Sequence, residues 1–450
     1  LEYFLPVQMC HMRINDRYRV WHGLCHMDDA LMAPTDSIHF DGYIQGPSTL
    51  AKYKPMDPVP GLNAGGWHDA GDYDLRVESQ AGTVNMLAMA LEEFGVEYDQ
   101  TTIDQSKNLV EMHRPDGIND VLQQIEHGVL TIVGSYDELG RLYRGIICPT
   151  LRQYVMLGDA ASMTDNLVYD PRLDSGEIKG NRSGIADDRW VFTEENPSRE
   201  LRVAADLASA SRALRVYNPS LSERCLVIAE NLWETNINAG PMLKVKASVE
   251  LLLTTDDQKY KDYFLENLEE LSENIDKTGW LLGRVLNKVN DKSFTETIKR
   301  SISELKDKIE AERKENPYGV PYKPNIWGAG WGIQRFGVEQ YFLHSRFPEI
   351  FPNDYMLFAL NFVLGCHPGV NNASFASGVG SKSIRVAYGV NRADWSFIPG
   401  GVASGTALIR PDFPELLEWP FLWQQTEYVM GGGGTNFLFL VLAADHLLSN

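Results

Sequence analysis

The chain has 450 residues, of which 44% are hydrophobic, 23% charged and 10% aromatic. That is the make-up of a globular protein and rules out global disorder or a low-complexity fibre. Acidic residues outnumber Lys and Arg by 61 to 41, a formal net charge of −20, which repels a polyphosphate backbone, argues against nucleic acid as a partner and leaves a neutral substrate as the best fit.

In chain order, the N-terminal segment is ragged, and a Pro- and Gly-rich loop over 31–66 follows it. Helices are predicted over Thr83–Phe94 and over Asn119–Leu130, where Val121, Leu122, Ile125 and Val129 recur at helical spacing. Thr150–Gly158 and the Ala-rich Arg199–Tyr217 come next, the latter with Ser198 as its expected N-cap. Further helices are predicted over Leu221–Glu234, Met242–Leu253, Gln258–Asn274, Phe294–Lys314, Ile333–Arg346, Asp354–Leu364 and Asn436–Leu448. Residues 366–420 form a second long loop, and long loops within a compact domain tend to carry function. The four glycines Gly431–Gly434 are expected to be non-helical, since each costs roughly 0.5–1 kcal/mol against Ala inside a helix. Period-2 strand patterns are scarce. The pattern is therefore that of an all-α toroid or bundle.

The longest uncharged run, Tyr428–Ala444, is continuously apolar only over Phe437–Ala444, short of the about 20 residues a membrane span requires. It reads as a core helix. Leu1 is not followed by a basic and then an apolar stretch, so no secretory signal is expected within the chain. The cysteines, Cys10, Cys25, Cys148, Cys225 and Cys366, are odd in number and widely spaced, so no disulfide framework is implied. Cys148, Cys225 and Cys366 lie in apolar sequence and read as buried thiols. Cys10 and Cys25 lie among histidines.

The stretch that carries chemistry is Gly65-Gly66-Trp67-His68-Asp69-Ala70-Gly71-Asp72-Tyr73. Two carboxylates three apart straddle Ala-Gly, whose small size permits a tight turn, so both can face one cavity and hold a water between them. The bland alternative is an Asx-type turn with two solvated aspartates. The long loops also carry Trp67, Trp395, Phe397 and Trp419, flat faces suited to a sugar ring or to pinning loops.

This stretch resembles the signature of glycoside hydrolase family 9, the inverting β-glucanases. Ile118–Gly128, Leu151–Tyr169, Asn196–Ser211 and Phe362–Pro368 are similar to other family elements, so the resemblance spans most of the chain. It implies one (α/α)6 barrel over residues 1–450 that cleaves a neutral β-linked glycan of the β-1,4-glucan type. Asp72 would be the general base, Asp69 would help hold the water, and Glu427 would be the general acid. Glu415 and Glu418 are rivals for that acid and read as a solvated loop edge. Inversion requires the acid and base to stand roughly 6.5–9.5 Å apart, and the apolar neighbours Trp419, Phe421 and Trp423 would raise the Glu427 pKa by desolvation. Trp67, Tyr73, Trp395 and Trp423 are expected to contact substrate. The family's His-His-Arg element is absent, leaving Arg385 or Arg392 to replace its arginine.

The resemblance further implies a structural zinc on Cys10, Cys25, His26 and His68, a donor set suited to tetrahedral zinc, with His11, His22 and His39 as competing ligands. It also suggests calcium near Ser198 and Glu200. Relatives with this Cys/His set carry an immunoglobulin-like domain ahead of the barrel; none is visible in these 450 residues. A secreted, periplasmic or cell-surface monomer is expected. Two other readings of the same residues are a metal-dependent hydrolase with a catalytic ion on His68, Asp69 and Asp72, and a non-catalytic glycan-binding relative. The presence of Asp69, Asp72 and Glu427 opposes the last.

Overall fold

The structure is a computed structural model that describes the chain apart from residues 36–37, 40–41, 47–51, 71–72, 150–159, 322–329, 385–396, 404–427 and 450. Its helices are α1 (Phe4–Gln8), α2 (Val77–Phe94), α3 (Asp120–Leu139), α4 (Pro197–Leu214), α5 (Pro219–Thr235), α6 (Pro241–Thr255), α7 (Gln258–Glu266), α8 (Leu268–Glu273), α9 (Ile275–Val289), α10 (Lys292–Glu312), α11 (Trp331–Arg346), α12 (Asp354–Val363) and α13 (Gly431–Ser449). Six of them touch in a closed cycle: α2, α4, α6, α9, α11, α13 and back to α2. The others lie against neighbours in that cycle: α3 on α2 and α4, α5 on α4 and α6, α7 and α8 on α6 and α9, α10 on α9, α12 on α11 and α13. This double ring is the (α/α)6 barrel expected from the sequence.

The two kinds of position explain the two kinds of helix. The ring helix α4 is covered on nearly every side, and Leu201, Val203, Ala204, Ala205, Leu207 and Ala208 are all buried; its many alanines let neighbouring helices approach from several directions. The peripheral α10 buries only Phe294, Ile298, Ser301, Ile302, Leu305 and Ile309, one stripe at i, i+4 and i+3 spacing against solvent-facing Lys and Glu. Caps set the ends. The Asn119 side chain accepts from Val121 N–H at the start of α3, and Gly140 with φ +69° closes it.

Several elements depart from the sequence expectation. The α4 cap is Asn196, whose side chain accepts from Arg199 N–H, and Ser198 lies inside the first turn. The helix expected over Gln258–Asn274 breaks at Asn267. Helix α9 lacked a sequence counterpart. The four glycines of 431–434 are helical. A Cβ on Gly433 would lie 2.3 Å from Val429 and one on Gly434 2.6 Å from Phe4, so close packing selects glycine there and outweighs its low helix propensity.

Short strands stitch the loops together. They include β1 (Arg13–Asn15), β2 (Val20–His22), β3 (Leu31–Met32), β4 (Leu75–Arg76), β5 (Thr101–Asp104), β6 (Leu109–Met112), β7 (Gly145–Ile147), β8 (Val168–Tyr169), β9 (Ile178–Lys179), β10 (Arg182–Ser183) and β11 (Trp190–Phe192). One sheet has the order β3-β11-β7-β4, with β11 parallel to β3 and antiparallel to β7. It ties the segment ahead of α2 to those flanking α3 and α4. Among the described residues no helix is long and apolar enough to cross a membrane.

Candidate active site and metal centre

The aspartate loop leads through β4 straight into α2, and Met430 directly precedes α13. Helices α2 and α13 are neighbours in the ring. The two segments that carry the candidate carboxylates therefore enter adjacent ring helices, and a hydrogen bond joins them: Met430 N–H donates to the Asp69 carbonyl at 2.9 Å. Asp72 and Glu427 themselves lie outside the described residues, as do Arg385, Arg392, Trp395 and Trp423.

The approach to the loop is locked on both sides. Gly65 and Gly66 adopt φ +75° and +78°, and a Cβ on Gly65 would lie 2.3 Å from the His127 carbonyl, so glycine is required there. Gly66 N–H donates to that carbonyl at 3.1 Å. The His127 imidazole returns to the Gly66 carbonyl at 2.8 Å. Burial pushes its pKa down to about 4. The Trp67 backbone is held in both directions by the Gln80 amide, and its indole N–H donates to Gln124 at 2.9 Å. His68 N–H donates to the Gln8 carbonyl. The loop is closed at its feet by Asp69 N–H donating to the Asp74 carbonyl at 3.0 Å, and the Asp74 carboxylate accepts from Cys148 N–H at 2.8 Å.

Asp69 is partly buried and faces Arg76 Nε at 3.2 Å. Burial pushes its carboxyl above the ordinary range while Arg76 and the Ser79 hydroxyl pull the other way. Trp67 corrects the sequence expectation. It is fully buried, with its indole lying on Gly128 of α3, so it is a core residue and offers no open face for sugar stacking. Tyr73 is likewise fully buried, its ring 5.2 Å from His68 and 5.6 Å from His26.

Cys10, Cys25 and His68 are buried, and their donor atoms lie within 4.8 Å of one another. Cys25 Sγ and His68 Nε2 are 3.8 Å apart. Although burial opposes ionisation, the hydrogen bond from Cys25 and the Arg189 charge hold the Cys10 thiol well below its usual range. Cys25 is raised instead, by burial and by Cys10. Burial pushes His68 down to about 3, keeping its ring neutral and able to act as a ligand. His26 stands outside this group of three. Its Nδ1 faces the Asp29 carboxylate at 3.0 Å, while its Nε2 is buried without a hydrogen-bond partner and its ring is 5.7 Å from His68. His11 is engaged with the Gly65 carbonyl, His22 with the Gly23 carbonyl and His39 with the Cys148 carbonyl. Soft sulfur donors, neutral imidazoles and the orphaned nitrogens of His26 and His68 form a set that suits a tetrahedral soft or borderline metal.

Ser198 and Glu200 do not gather as cation ligands. Ser198 is exposed, and Glu200 accepts from Asn196 N–H and from the Asn236 amide, a capping arrangement. The sequence reading missed Asp28, Asp29 and Asp188, whose carboxylates converge within 4.8 Å. Burial pushes Asp188 up to about 10. It also missed Arg189, which is fully buried and pairs with Asp29. Cys366 is exposed, contrary to expectation, while Cys148 and Cys225 are buried.

Residues 3–390 match Glycosyl hydrolase family 9. A metagenome-derived family 9 endoglucanase superposes with a TM-score of 0.69 at 18% identity, covering 98% of this chain and 78% of that one. A single mutant of a thermostable endoglucanase from Alicyclobacillus acidocaldarius gives 0.70 at 16% identity, covering 98% and 82%. A Zn-binding triple mutant of the family 9 endoglucanase J30 gives 0.69 at 18% identity, covering 98% and 82%. Comparison with curated proteins gives no match. The fold and the family match define a glycoside hydrolase of the all-α toroid class. The chain belongs to glycosyl hydrolase family 9.

Proposed function

We propose that this chain is a single catalytic domain that hydrolyses neutral β-linked glucan, of the β-1,4 type, with inversion. Asp72 serves as general base, Asp69 helps to hold the attacking water, and Glu427 is the general acid. The observation that carries this reading is the hydrogen bond from Met430 N–H to the Asp69 carbonyl, which joins the segment just after Glu427 to the loop that holds Asp72. The endoglucanases it resembles in fold support a β-glucan substrate, and the net charge of −20 supports a neutral one. In an inverting reaction the base removes a proton from water as that water attacks the anomeric carbon, and the acid donates its proton to the leaving oxygen. The raised pKa of Asp69 suits a group that orients water while Asp72 takes the proton.

Zinc is assigned to Cys10, Cys25 and His68, with His26 as the fourth ligand through Nε2. A triple mutant of one relative in the fold, the endoglucanase J30, is described as Zn-binding. Bound there, the ion would supply structural cross-linking: it would fix His68, and with it the backbone of Asp69, to the N-terminal segment. The burial of His68 among the thiols supports this structural role over a catalytic ion shared with Asp69 and Asp72. A polymeric glycan substrate supports a secreted, periplasmic or cell-surface protein, and we read it as a monomer.

Time-resolved proton NMR on cello-oligosaccharides, mixed-linkage glucan, xyloglucan, glucomannan and chitosan oligomers tests the reading. The α-anomer of the new reducing end is expected first. An initial β-anomer would mean retention and remove Asp72 as a water-activating base. Asp72→Asn and Glu427→Gln are each expected to lower kcat at least ~100-fold.

A further inference from the structure

We propose that Arg189 is a positioning residue for the general base, holding the backbone immediately after Asp72 through the Tyr73 carbonyl. The inference rests on the assignment of Asp72 as base.

Arg189 is fully buried and adjoins β11, far from the aspartate loop in sequence. Its guanidinium serves four different partners, one of them His11 Nε2, which lies 3.3 Å from Nη2. Nε pairs with the Asp29 carboxylate, Nη1 donates to the Tyr73 carbonyl, and Nη2 points at Cys10 Sγ at 3.2 Å. The Arg189 backbone N–H also donates to Asp29 at 3.1 Å, so the side chain is anchored at its root as well as at its tip. Asp29 is in turn braced by His26 Nδ1 at 3.0 Å. The charges are accounted for within this group. The guanidinium faces one carboxylate and the thiol held toward its thiolate form, and a buried charge needs such partners to persist.

The loop's two feet are fixed, Asp69 by backbone hydrogen bonds to Asp74 and Met430, and Asp74 also by its carboxylate, which accepts from Cys148 N–H. The Tyr73 carbonyl is therefore the handle nearest to Asp72, and a side chain on a distant segment grips it. The Tyr73 ring is itself wedged against His26 and His68. With ring and carbonyl both held, residue 73, the immediate sequence neighbour of the proposed base, is fixed in place. Arginine suits the task because its planar fork presents donors in fixed, divergent directions; a lysine ammonium is one point charge and cannot span all of these partners. The same fork links the thiol pair to the loop, so the metal-ligand region and the base are referenced to one buried group.

The test is a double-mutant cycle on kcat with Arg189→Lys, Asp72→Asn and the double variant, using an aryl β-cellobioside with an activated leaving group so that residual rates stay measurable. Arg189→Lys is expected to fold, to keep its metal content, to leave KM within ~3-fold and to lower kcat ~10- to 100-fold. In the Asp72→Asn background the same change is expected to cost less than ~3-fold, because a residue that acts through the base loses its effect once the base is gone. Full multiplication of the two losses would overturn the proposal, as would unchanged kcat in folded Arg189→Lys or a loss restored by added zinc. A near-normal kcat in Asp72→Asn alone would instead remove the base assignment itself. If Arg189→Lys does not fold, Arg189→Gln carries the same comparison, since its amide keeps one donor for the carbonyl without the charge.

Discussion

Replacing Gly128 with alanine adds one carbon to the middle of α3, beneath the indole of Trp67. Helix propensity alone makes this change favourable by about 1 kcal/mol. Packing opposes it. The new Cβ would lie 2.2 and 2.5 Å from two ring carbons of Trp67 and 2.5 Å from Val84, far inside ordinary contact. The ring cannot swing away at low cost, because it is fully buried and donates to Gln124, while its backbone is gripped by Gln80. Overpacking of this kind costs about 1–3 kcal/mol or more, and three simultaneous contacts against a pinned ring place it at the upper end. The net expectation is a destabilisation of about 2 kcal/mol. Gly82 in α2 provides the control: a Cβ there meets nothing within 4 Å, so Gly82→Ala is expected to stabilise by about 0.5–1 kcal/mol. Urea unfolding followed by circular dichroism compares the two midpoints with wild type. Trp67 is followed by His68 and Asp69, so Gly128→Ala is also expected to lower kcat more than its loss of folded protein explains. A Gly128→Ala variant as stable as wild type would refute the claim that Trp67 is immovable.

Stability is also expected to fall as pH drops from 6.5 to about 4 through His127, whose folded pKa is depressed from 6.5 to about 4. The unfolded chain binds the extra proton in that window, so the term is fully present above 6.5 and is lost on acidification, a span of about 3 kcal/mol; urea midpoints across this range should flatten in His127→Gln. Glu250 is fully buried between Arg212 and Arg284, and its carboxyl is held down to about 2 by Arg284 and Arg212 against the effect of burial. Its contribution is present above 4.5 and lost as pH falls toward 2. Glu250→Gln leaves two buried guanidiniums facing a neutral amide and is expected to cost about 3 kcal/mol in urea unfolding at pH 7. Cys25→Ser is expected to lower zinc content and thermal midpoint together, measured by elemental analysis and calorimetry on the same sample; a fully stable wild type without zinc would refute the metal assignment.

The barrel was legible because its helices follow simple rules. The stripe of α10 and the alanine-rich, Pro-started α4 can be read directly from periodicity and caps. What escaped was governed by tertiary contact. Gly433 and Gly434 are glycine because Val429 and Phe4 leave no room for a Cβ in that helical turn, information that lies in contacts rather than in propensity. Helix α9 carries Gly279 and Gly283, which lower its apparent propensity; Gly283 is needed because Phe347 lies 3.0 Å from where its Cβ would be. Strands of two or three residues are too short to show a period. In the site, the Asp69–Asp72 pair is local and carries a recognisable signature, so it could be found from sequence. Cys10, Cys25 and His68 converge only through the fold, and their spacing suggested a metal only by resemblance. Arg189 left no signal beyond an acidic pair preceding a basic residue, because its importance lies in partners contributed by three separate segments.

The hydrogen bond between Met430 and Asp69 also sets a schedule. The aspartate loop emerges early in synthesis, whereas Met430 follows only after most of the toroid has been made. At about 5–20 residues per second, that interval is on the order of half a minute. Throughout it the first ring helix lacks its last neighbour, and the mouth of the barrel stands open along one seam. The proposed catalytic pair therefore comes into being only when the circle closes, so hydrolytic activity would report on closure of the ring, and a toroid still lacking its last ring helix would remain silent however well its other helices have packed.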